Sequence, residues 1–195
     1  MESSERTYRA LLVSANEKFS ETLLPLLKAC RCEPVIRAGD SATARRYMLE
    51  AAYDIIIVNT PLPDEFGTKL ALDASMESNT GVMLLVKSEH YADINARVSP
   101  YGVLALSKPT SSAVVNQSIT LLCATRERLR RMEQKTATIE EKMEEIRIVN
   151  RAKWLLVDQL KMTEPDAHRY IEKSAMDRCV TKRAVAEAII RTYRN

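Results

Sequence analysis

The chain contains little of what most active sites are built from. Its 195 residues include only four glycines, two histidines and four cysteines. The four glycines lie far apart and form no glycine-rich phosphate-binding loop. Cys30 and Cys32 are the only close cysteine pair, no second pair stands at zinc-finger spacing, and no nucleophile accompanies an evident base. These absences predict free thiols and argue against an enzyme, a metal site or a cofactor.

Long apolar runs are also missing, since none approaches the ~20 residues that a membrane-spanning helix requires. The first residues, MESSERTYR, are polar and carry acidic side chains, unlike a signal peptide. With 46% apolar and 28% charged residues, the composition is that of a globular protein with one ordinary domain and a smaller one. We therefore expect a cytoplasmic protein.

The net charge of +3 is distributed unevenly along the chain. Residues 1–116 hold 12 Lys and Arg against 14 Asp and Glu, whereas residues 151–195 hold 10 against 6. A basic C-terminal segment indicates an anionic partner. The alternative is that these charges belong to a solvated helical face.

The first 116 residues alternate short apolar runs with segments of helical spacing. This alternation predicts a doubly wound α/β domain with a parallel sheet of five strands and helices on both faces. The strand candidates are residues 8–13, 34–38, 55–58, 82–86 and 103–106, and the helix candidates are residues 17–28, 41–51, 68–76 and a tract from residue 111.

Residues 117–160 contain neither glycine nor proline, and their apolar positions follow a heptad pattern. Such a pattern is typical of a coiled coil and predicts a homodimer. A single amphipathic helix packed against its own domain is the alternative. The predicted seam, which also includes two threonines, contains Leu122, Leu129, Met132, Ile139, Met143, Ile146 and Asn150.

Charges beside this seam favour a parallel pair of helices. With Leu122 at position a, Arg128 faces Glu133 of the partner helix, and Lys135 faces Glu140. A third pair, Lys142 with Arg147, is repulsive. Together with the two threonines, this predicts modest self-association.

The segment DIIIVNTPLPDEFG, residues 54–67, resembles the third strand and following loop of response-regulator receiver domains. In that family an aspartate that accepts a phosphoryl group occupies the position of Asn59, and an invariant Lys-Pro corresponds to Lys108-Pro109. The resemblance covers about residues 6–118 and implies a receiver-like, flavodoxin-like fold.

The departures from the receiver pattern all concern phosphoryl transfer. The acidic pair that holds Mg²⁺ is replaced around Ser14 and Ala15, and Val86 stands where a Ser or Thr binds the phosphoryl group. Asn59 has no carboxylate nucleophile, so Lys108 is the only pocket residue that remains. We therefore predict a pseudo-receiver at residues 1–118 that is not phosphorylated on aspartate. A displaced acidic site using Glu17 or Asp64 is a weaker alternative.

Two shorter helices are predicted after Leu160, with Thr163 and Thr181 as their N-caps. The segment from Val149 to Ile190 resembles the ANTAR domain, an RNA-binding antitermination module. Trp154 departs from the pattern, since the family often has glycine there. The residues that carry the resemblance are Ala152-Lys153, Leu155-Leu156, Thr163, Ala167, Ala175-Met176-Asp177, Val185-Ala186 and Ile189-Ile190.

This resemblance predicts a coiled-coil dimerisation helix at 119–150 and an ANTAR RNA-binding domain at 137–195, whose first helix continues the coiled coil. It implies a dimeric antiterminator, similar to amidase-operon regulators, that binds tandem stem-loops in a leader mRNA and prevents terminator formation. Trp154 and Tyr170 are candidates for stacking on a base, although Tyr170 is expected in the core. The candidate RNA-binding residues are Lys153, Arg178, Lys182 and Arg183, followed by Arg151, Arg169 and Lys173.

Two other functions are compatible with the sequence. A dimeric adaptor regulated by a ligand-sensing partner protein would make the basic tail incidental. DNA binding is also possible, because the last two helices suggest a helix-turn-helix. However, the connection at residues 177–180 lacks the usual glycine.

Overall fold

The structure is a computed structural model and describes residues 7–77 and 79–193. The N-terminal part contains five parallel strands in the order β2-β1-β3-β4-β5. The predicted doubly wound α/β fold is thereby confirmed, with strand ends shifted by one or two residues. The strands are β1 Tyr8–Val13, β2 Cys32–Ala38, β3 Ile55–Asn59, β4 Gly81–Lys87 and β5 Leu104–Lys108.

Helices cover both faces of the sheet. The helices of this part are α1 Glu17–Ala29, α2 Ser41–Glu50, α3 Thr68–Glu77, α4 Ser88–Val98 and α5 Ser112–Leu160. Because side chains alternate along a strand, β1 directs Leu11 and Val13 into a core with α2, α3 and α4. Its Ala10 and Leu12 enter a second core with α1 and the start of α5.

Helix α4 was not predicted from the sequence. Only two of its residues, Ile94 and Val98, are buried, so its apolar stripe is too sparse to produce a clear helical period. Tertiary packing against the sheet selects the helix there.

The first part of α5 belongs to the N-terminal domain. Leu122 is 7% exposed and packs in the second core beside Ile119 and Cys123. This corrects the prediction that Leu122 starts the dimer seam, because its side chain is already buried by its own domain. By its internal contacts the chain divides into two compact units between Arg131 and Met132, within α5.

The second unit contains the rest of α5 together with α6 Glu164–Asp177 and α7 Lys182–Thr192. Thr163 and Thr181 cap α6 and α7 by accepting hydrogen bonds from the backbone N–H groups of Asp166 and Ala184, as predicted. Tyr170 differs from expectation, since it is 44% exposed. The small core of this unit contains Ala152, Leu156, Ala167, Ile171, Ala175, Val185, Ala186 and Ile189.

Candidate functional sites at the sheet edge and in the C-terminal bundle

A hydrogen-bonded chain of three side chains lies at the carboxyl ends of β1, β3 and β5. Asn59 is buried, and its Nδ2 donates to Ser14 Oγ at 3.0 Å. Its Oδ1 accepts from Lys108 Nζ at 2.7 Å, and the same ammonium group donates to the Thr60 carbonyl. Three of the predicted pocket residues therefore meet, and the Asn59 amide uses both its donor and its acceptor.

The pocket around this chain is a crevice of about 680 Å³ that Ala15, Glu17 and Lys108 help to line. Burial, followed by the nearby charge of Lys87, lowers the pKa of Lys108. Val86 is fully buried in the core and does not line the crevice.

Of the two displaced acids considered from the sequence, Glu17 lines the crevice, whereas Asp64 has a different role. Its carboxylate accepts hydrogen bonds at the start of α2 from Ser41 N at 3.0 Å, Ser41 Oγ at 2.7 Å and Ala42 N at 3.0 Å. These bonds, led by the one from the Ser41 backbone, lower the pKa of Asp64 to about 2. Asp64 is absent from the crevice lining. In the described part of the chain, no group of three or more His, Cys, Asp or Glu side chains is arranged to hold a metal ion.

An exposed apolar stripe runs along the middle of α5. Every residue from 131 to 144 is exposed, and the apolar seam positions Met132, Ile139, Met143 and Ile146 are 51–60% exposed. Leu129 is half-buried at the start of this stretch, and Asn150 is exposed at its end. Of the predicted seam, these positions remain available for a partner.

The candidate RNA-binding cations fall into two groups. Lys153 Nζ lies 2.9 Å from Glu164, Lys182 pairs with Glu172, and Arg183 Nε lies 2.8 Å from Glu187. The hydrogen bonds from Lys153 and Lys182 lower the pKa values of Glu164 and Glu172. Arg178 is exposed and, among residues 7–77 and 79–193, has no ion-pair partner.

Lys153 differs from the other cations in burial. Its side chain is only 16% exposed, although Glu164, its partner, is 71% exposed. The pair links α5 to the first turn of α6.

Two aromatic side chains of the bundle are exposed. Trp154 is 71% exposed on α5. Tyr170 lines a cleft of about 170 Å³ together with residues of α5, α6 and α7. Sequence reasoning placed Tyr170 in the core because it lies on the apolar face of the predicted helix, and missed this cleft.

No helix within the described residues combines the length and apolar character needed to cross a bilayer.

Comparisons with known proteins connect these two units to families. The model of the ANTAR domain matches residues 137–190. The transcriptional regulatory protein PdtaR of Mycobacterium tuberculosis, found in strains CDC 1551 and H37Rv, is 29% identical over 186 residues. That alignment covers 94% of this chain and 90% of PdtaR.

Solved receiver domains share the fold of the N-terminal unit. A signal receiver domain of an HD domain-containing protein from Pseudomonas fluorescens Pf-5 has a TM-score of 0.59 at 20% identity, covering 67% of this chain and 97% of that one. A receiver domain from Clostridium thermocellum has a TM-score of 0.56 at 17% identity, covering 63% and 98%.

Proposed function

Since the chain is an ANTAR-domain response regulator with a receiver-like N-terminal domain, we propose that it is a dimeric RNA-binding antiterminator. In this proposal it binds tandem stem-loops of a leader mRNA and prevents formation of the terminator hairpin. The observation that carries the proposal is the ANTAR match over residues 137–190, which spans the basic bundle. Homologous proteins are transcriptional regulators, and a binding role fits this chain better than an enzymatic one.

The turn between α6 and α7 supplies the cations for RNA. Arg178 ends α6, and Lys182 and Arg183 begin α7. The acid partners of Lys182 and Arg183 are 37% and 46% exposed. Such surface ion pairs are worth only about 0–1 kcal/mol, so an RNA phosphate can replace either carboxylate. Lys153 is half-enclosed and supports the bundle.

The exposed middle of α5 supports dimerisation. Residues 131–144 form about 20 Å of helix in which every residue is exposed. An isolated helix of this length is marginal in water, and its apolar stripe at heptad spacing fits a second copy of the same helix. Two bundles then match two hairpins, which raises the affinity by bivalency.

Control by aspartyl phosphate is excluded from the proposal. An amide at position 59 cannot form an acyl phosphate, and Ser14 and Ala15 offer no carboxylate to a hard divalent cation. Lys108 already donates a hydrogen bond to Asn59, so its ammonium group is engaged where a phosphoryl oxygen would accept. In this proposal the regulatory signal enters by a route other than aspartyl phosphorylation.

An electrophoretic mobility shift with a two-hairpin leader RNA tests the proposal. We expect tight binding that weakens as salt rises, because phosphate contacts release counterions. Reversing the charge of Lys182 and Arg183 to Glu should weaken binding and leave helicity and dimerisation unchanged. The matched control is Lys28→Glu with Lys69→Glu, which changes the net charge equally on exposed positions of the other unit. If no two-hairpin RNA binds at low salt, the proposal is wrong.

A protein adaptor held by a ligand-sensing partner is the second candidate. It is favoured by the acid partners of Lys153, Lys182 and Arg183, because three of the four leading candidates for RNA contact already pair with carboxylates. The same mobility shift separates the two: an adaptor shows equal, weak RNA binding before and after the double charge reversal.

A further inference from the structure

We infer that the cleft in the C-terminal bundle receives one unpaired base from an RNA loop. This inference rests on the proposed function and adds the part of the RNA that the bundle recognises. We call the site the base cleft, and its lining residues are Leu156, Leu160, Tyr170, Ser174, Arg178, Val185, Ala188, Ile189, Thr192 and Tyr193.

The helices present these side chains in two rows. Tyr170, Ser174 and Arg178 are spaced by four residues, so they form one stripe along α6. Val185, Ile189 and Thr192 form the corresponding stripe of α7. Leu156, which is buried, comes from α5. The cleft thus has an apolar floor and a polar, aromatic rim.

The size of the cleft limits its occupant. Its volume of about 170 Å³ is below the ~300 Å³ at which pockets for drug-sized ligands begin. At ~30 Å³ per water it has room for several waters. A single planar ring fits these dimensions better than a whole cofactor.

The chemistry of the rim favours a nucleobase. RNA loops are read by stacking unstacked bases on aromatic rings and on arginine guanidinium planes. Tyr170 and Arg178 supply one group of each kind. Thr192 Oγ1 donates to the Ala188 carbonyl, so its lone pairs remain able to accept from a base edge.

Charge singles out Arg178 among the four candidate cations. Lys153, Lys182 and Arg183 each pair with an acid, whereas Arg178 pairs with none in the described residues. A guanidinium at the mouth of an aromatic cleft, without a carboxylate to hold it, is available to stack on a base or contact its phosphate.

The test uses full-length protein and a pool of tandem RNA hairpins with randomised loops, from which wild type enriches a tight-binding RNA. For that RNA, Tyr170→Ala should lower the affinity about 5- to 140-fold, the range typical of a lost base stack. Tyr170→Phe, which keeps the ring, should stay within about twofold. Arg178→Gln should also lower the affinity, and its exposed position keeps the test valid if Tyr170→Ala destabilises the bundle.

Abasic substitution identifies the base. Removing the base at one loop position should weaken RNA binding by wild type about as much as Tyr170→Ala does. With the Tyr170→Ala variant, removing that base should cause no further loss of affinity. Trp154→Ala is the matched control, because it removes an exposed aromatic side chain that does not line the cleft. With Trp154→Ala, removing the base at that loop position should weaken binding as much as it does for wild type.

Four results would contradict the inference. If wild type enriches no RNA, the proposed function fails together with the base cleft. If RNA binds but Tyr170→Ala and Arg178→Gln bind it as wild type does, only the base cleft fails. If abasic substitution at every loop position lowers the affinity equally, the cleft does not bind one particular base. A loss of dimerisation by Tyr170→Ala, with single-hairpin affinity unchanged, would instead assign the cleft to a second copy of the chain.

Discussion

Asn59 shows how one amide changes the chemistry of a receiver-like pocket. A carboxylate at this position would be a nucleophile and a metal ligand, whereas the amide donates to Ser14 and accepts from Lys108. Its polar atoms are satisfied inside the fold, which is what a buried polar side chain requires. The residue therefore joins the ends of β1 and β5 to β3 through its hydrogen bonds.

Restoring the aspartate alone should not restore phosphorylation. In Asn59→Asp the new carboxylate lies beside Lys108, but Ser14 and Ala15 still provide no acidic ligand for Mg²⁺. We expect mass spectrometry to show no added phosphoryl group on either wild type or Asn59→Asp after incubation with acetyl phosphate and Mg²⁺. A phosphoryl group on any acidic residue of the wild type would show that a displaced acceptor exists.

Asp64 makes the stability of the protein sensitive to acid. Its pKa of about 2 lies below the usual value of 3.8, so the ionised form is favoured by folding. The stabilisation is complete above about pH 4 and is lost as the pH falls towards 2. We expect the urea midpoint of Asp64→Asn to be lower than that of wild type near neutral pH and to fall less between pH 4 and pH 2.

The control for this pH profile is Asp93→Asn, in the middle of α4. Its urea midpoint should fall between pH 4 and pH 2 as much as we expect for wild type. If the urea midpoint of Asp64→Asn falls between pH 4 and pH 2 as steeply as that of wild type, the hydrogen bonds at the start of α2 do not favour the ionised carboxylate.

At the scale of elements, α5 carries one apolar pattern with two different environments. Its beginning is buried against the sheet through Val115, Ile119 and Leu122. Its middle exposes Ile139 and Met143. The heptad period is continuous, but only the exposed part can serve a partner.

A charge in the exposed seam should separate the proposed dimer. Ile139→Asp places a carboxylate at the seam of both helices, where its desolvation is unfavourable. Because each chain also loses about 1.5–3 kcal/mol of apolar burial, we expect the dimer dissociation constant to rise at least ~100-fold, measured by sedimentation equilibrium. Ala137→Asp, an exposed position outside the seam, is the control and should stay close to wild type.

The predicted repulsive pair beside the seam, Lys142 with Arg147, allows a substitution that should strengthen the dimer. In the predicted parallel register, Arg147→Glu would face Lys142 of the second chain as an attractive pair, and it removes a cation that pairs with Glu144 at 3.6 Å. Exposed pairs contribute about 0.2–1 kcal/mol, so the dimer should tighten about 2- to 30-fold for the two symmetric pairs. Weaker association of this variant would argue against a parallel arrangement with this register.

At the scale of the whole molecule, the proposal connects dimerisation with RNA geometry. In this proposal the bundle of one chain binds one hairpin, so that binding of the next hairpin by the second chain becomes an intramolecular step. Ile139→Asp should therefore keep the single-hairpin affinity and lose most of the gain for two hairpins, about 10²–10⁴-fold. Titration of one-hairpin and two-hairpin RNAs measures this ratio, and an unchanged ratio would show that bivalency plays no part.

Much of the architecture could be predicted from local patterns. The strand alternation, the threonine caps and the apolar face of α7 were legible because each depends on residues within a few positions of one another. Helix α4, with only Ile94 and Val98 buried, was missed for the same reason. The base cleft was missed because its lining comes from three helices.

The sequence by itself determined the alternation of strands and helices, apart from α4, and the absence of a carboxylate at position 59, since both depend on residue identity and short-range spacing. Only the tertiary structure decided that Leu122 is buried in its own domain, that Asp64 holds the start of α2, and that Asn59 joins Ser14 to Lys108. The Asp64 and Asn59 contacts link residues 23 to 49 positions apart, and the core that contains Leu122 includes Ala10 and Leu12 of β1. No local period encodes them, because they form only when the sheet and helices pack together.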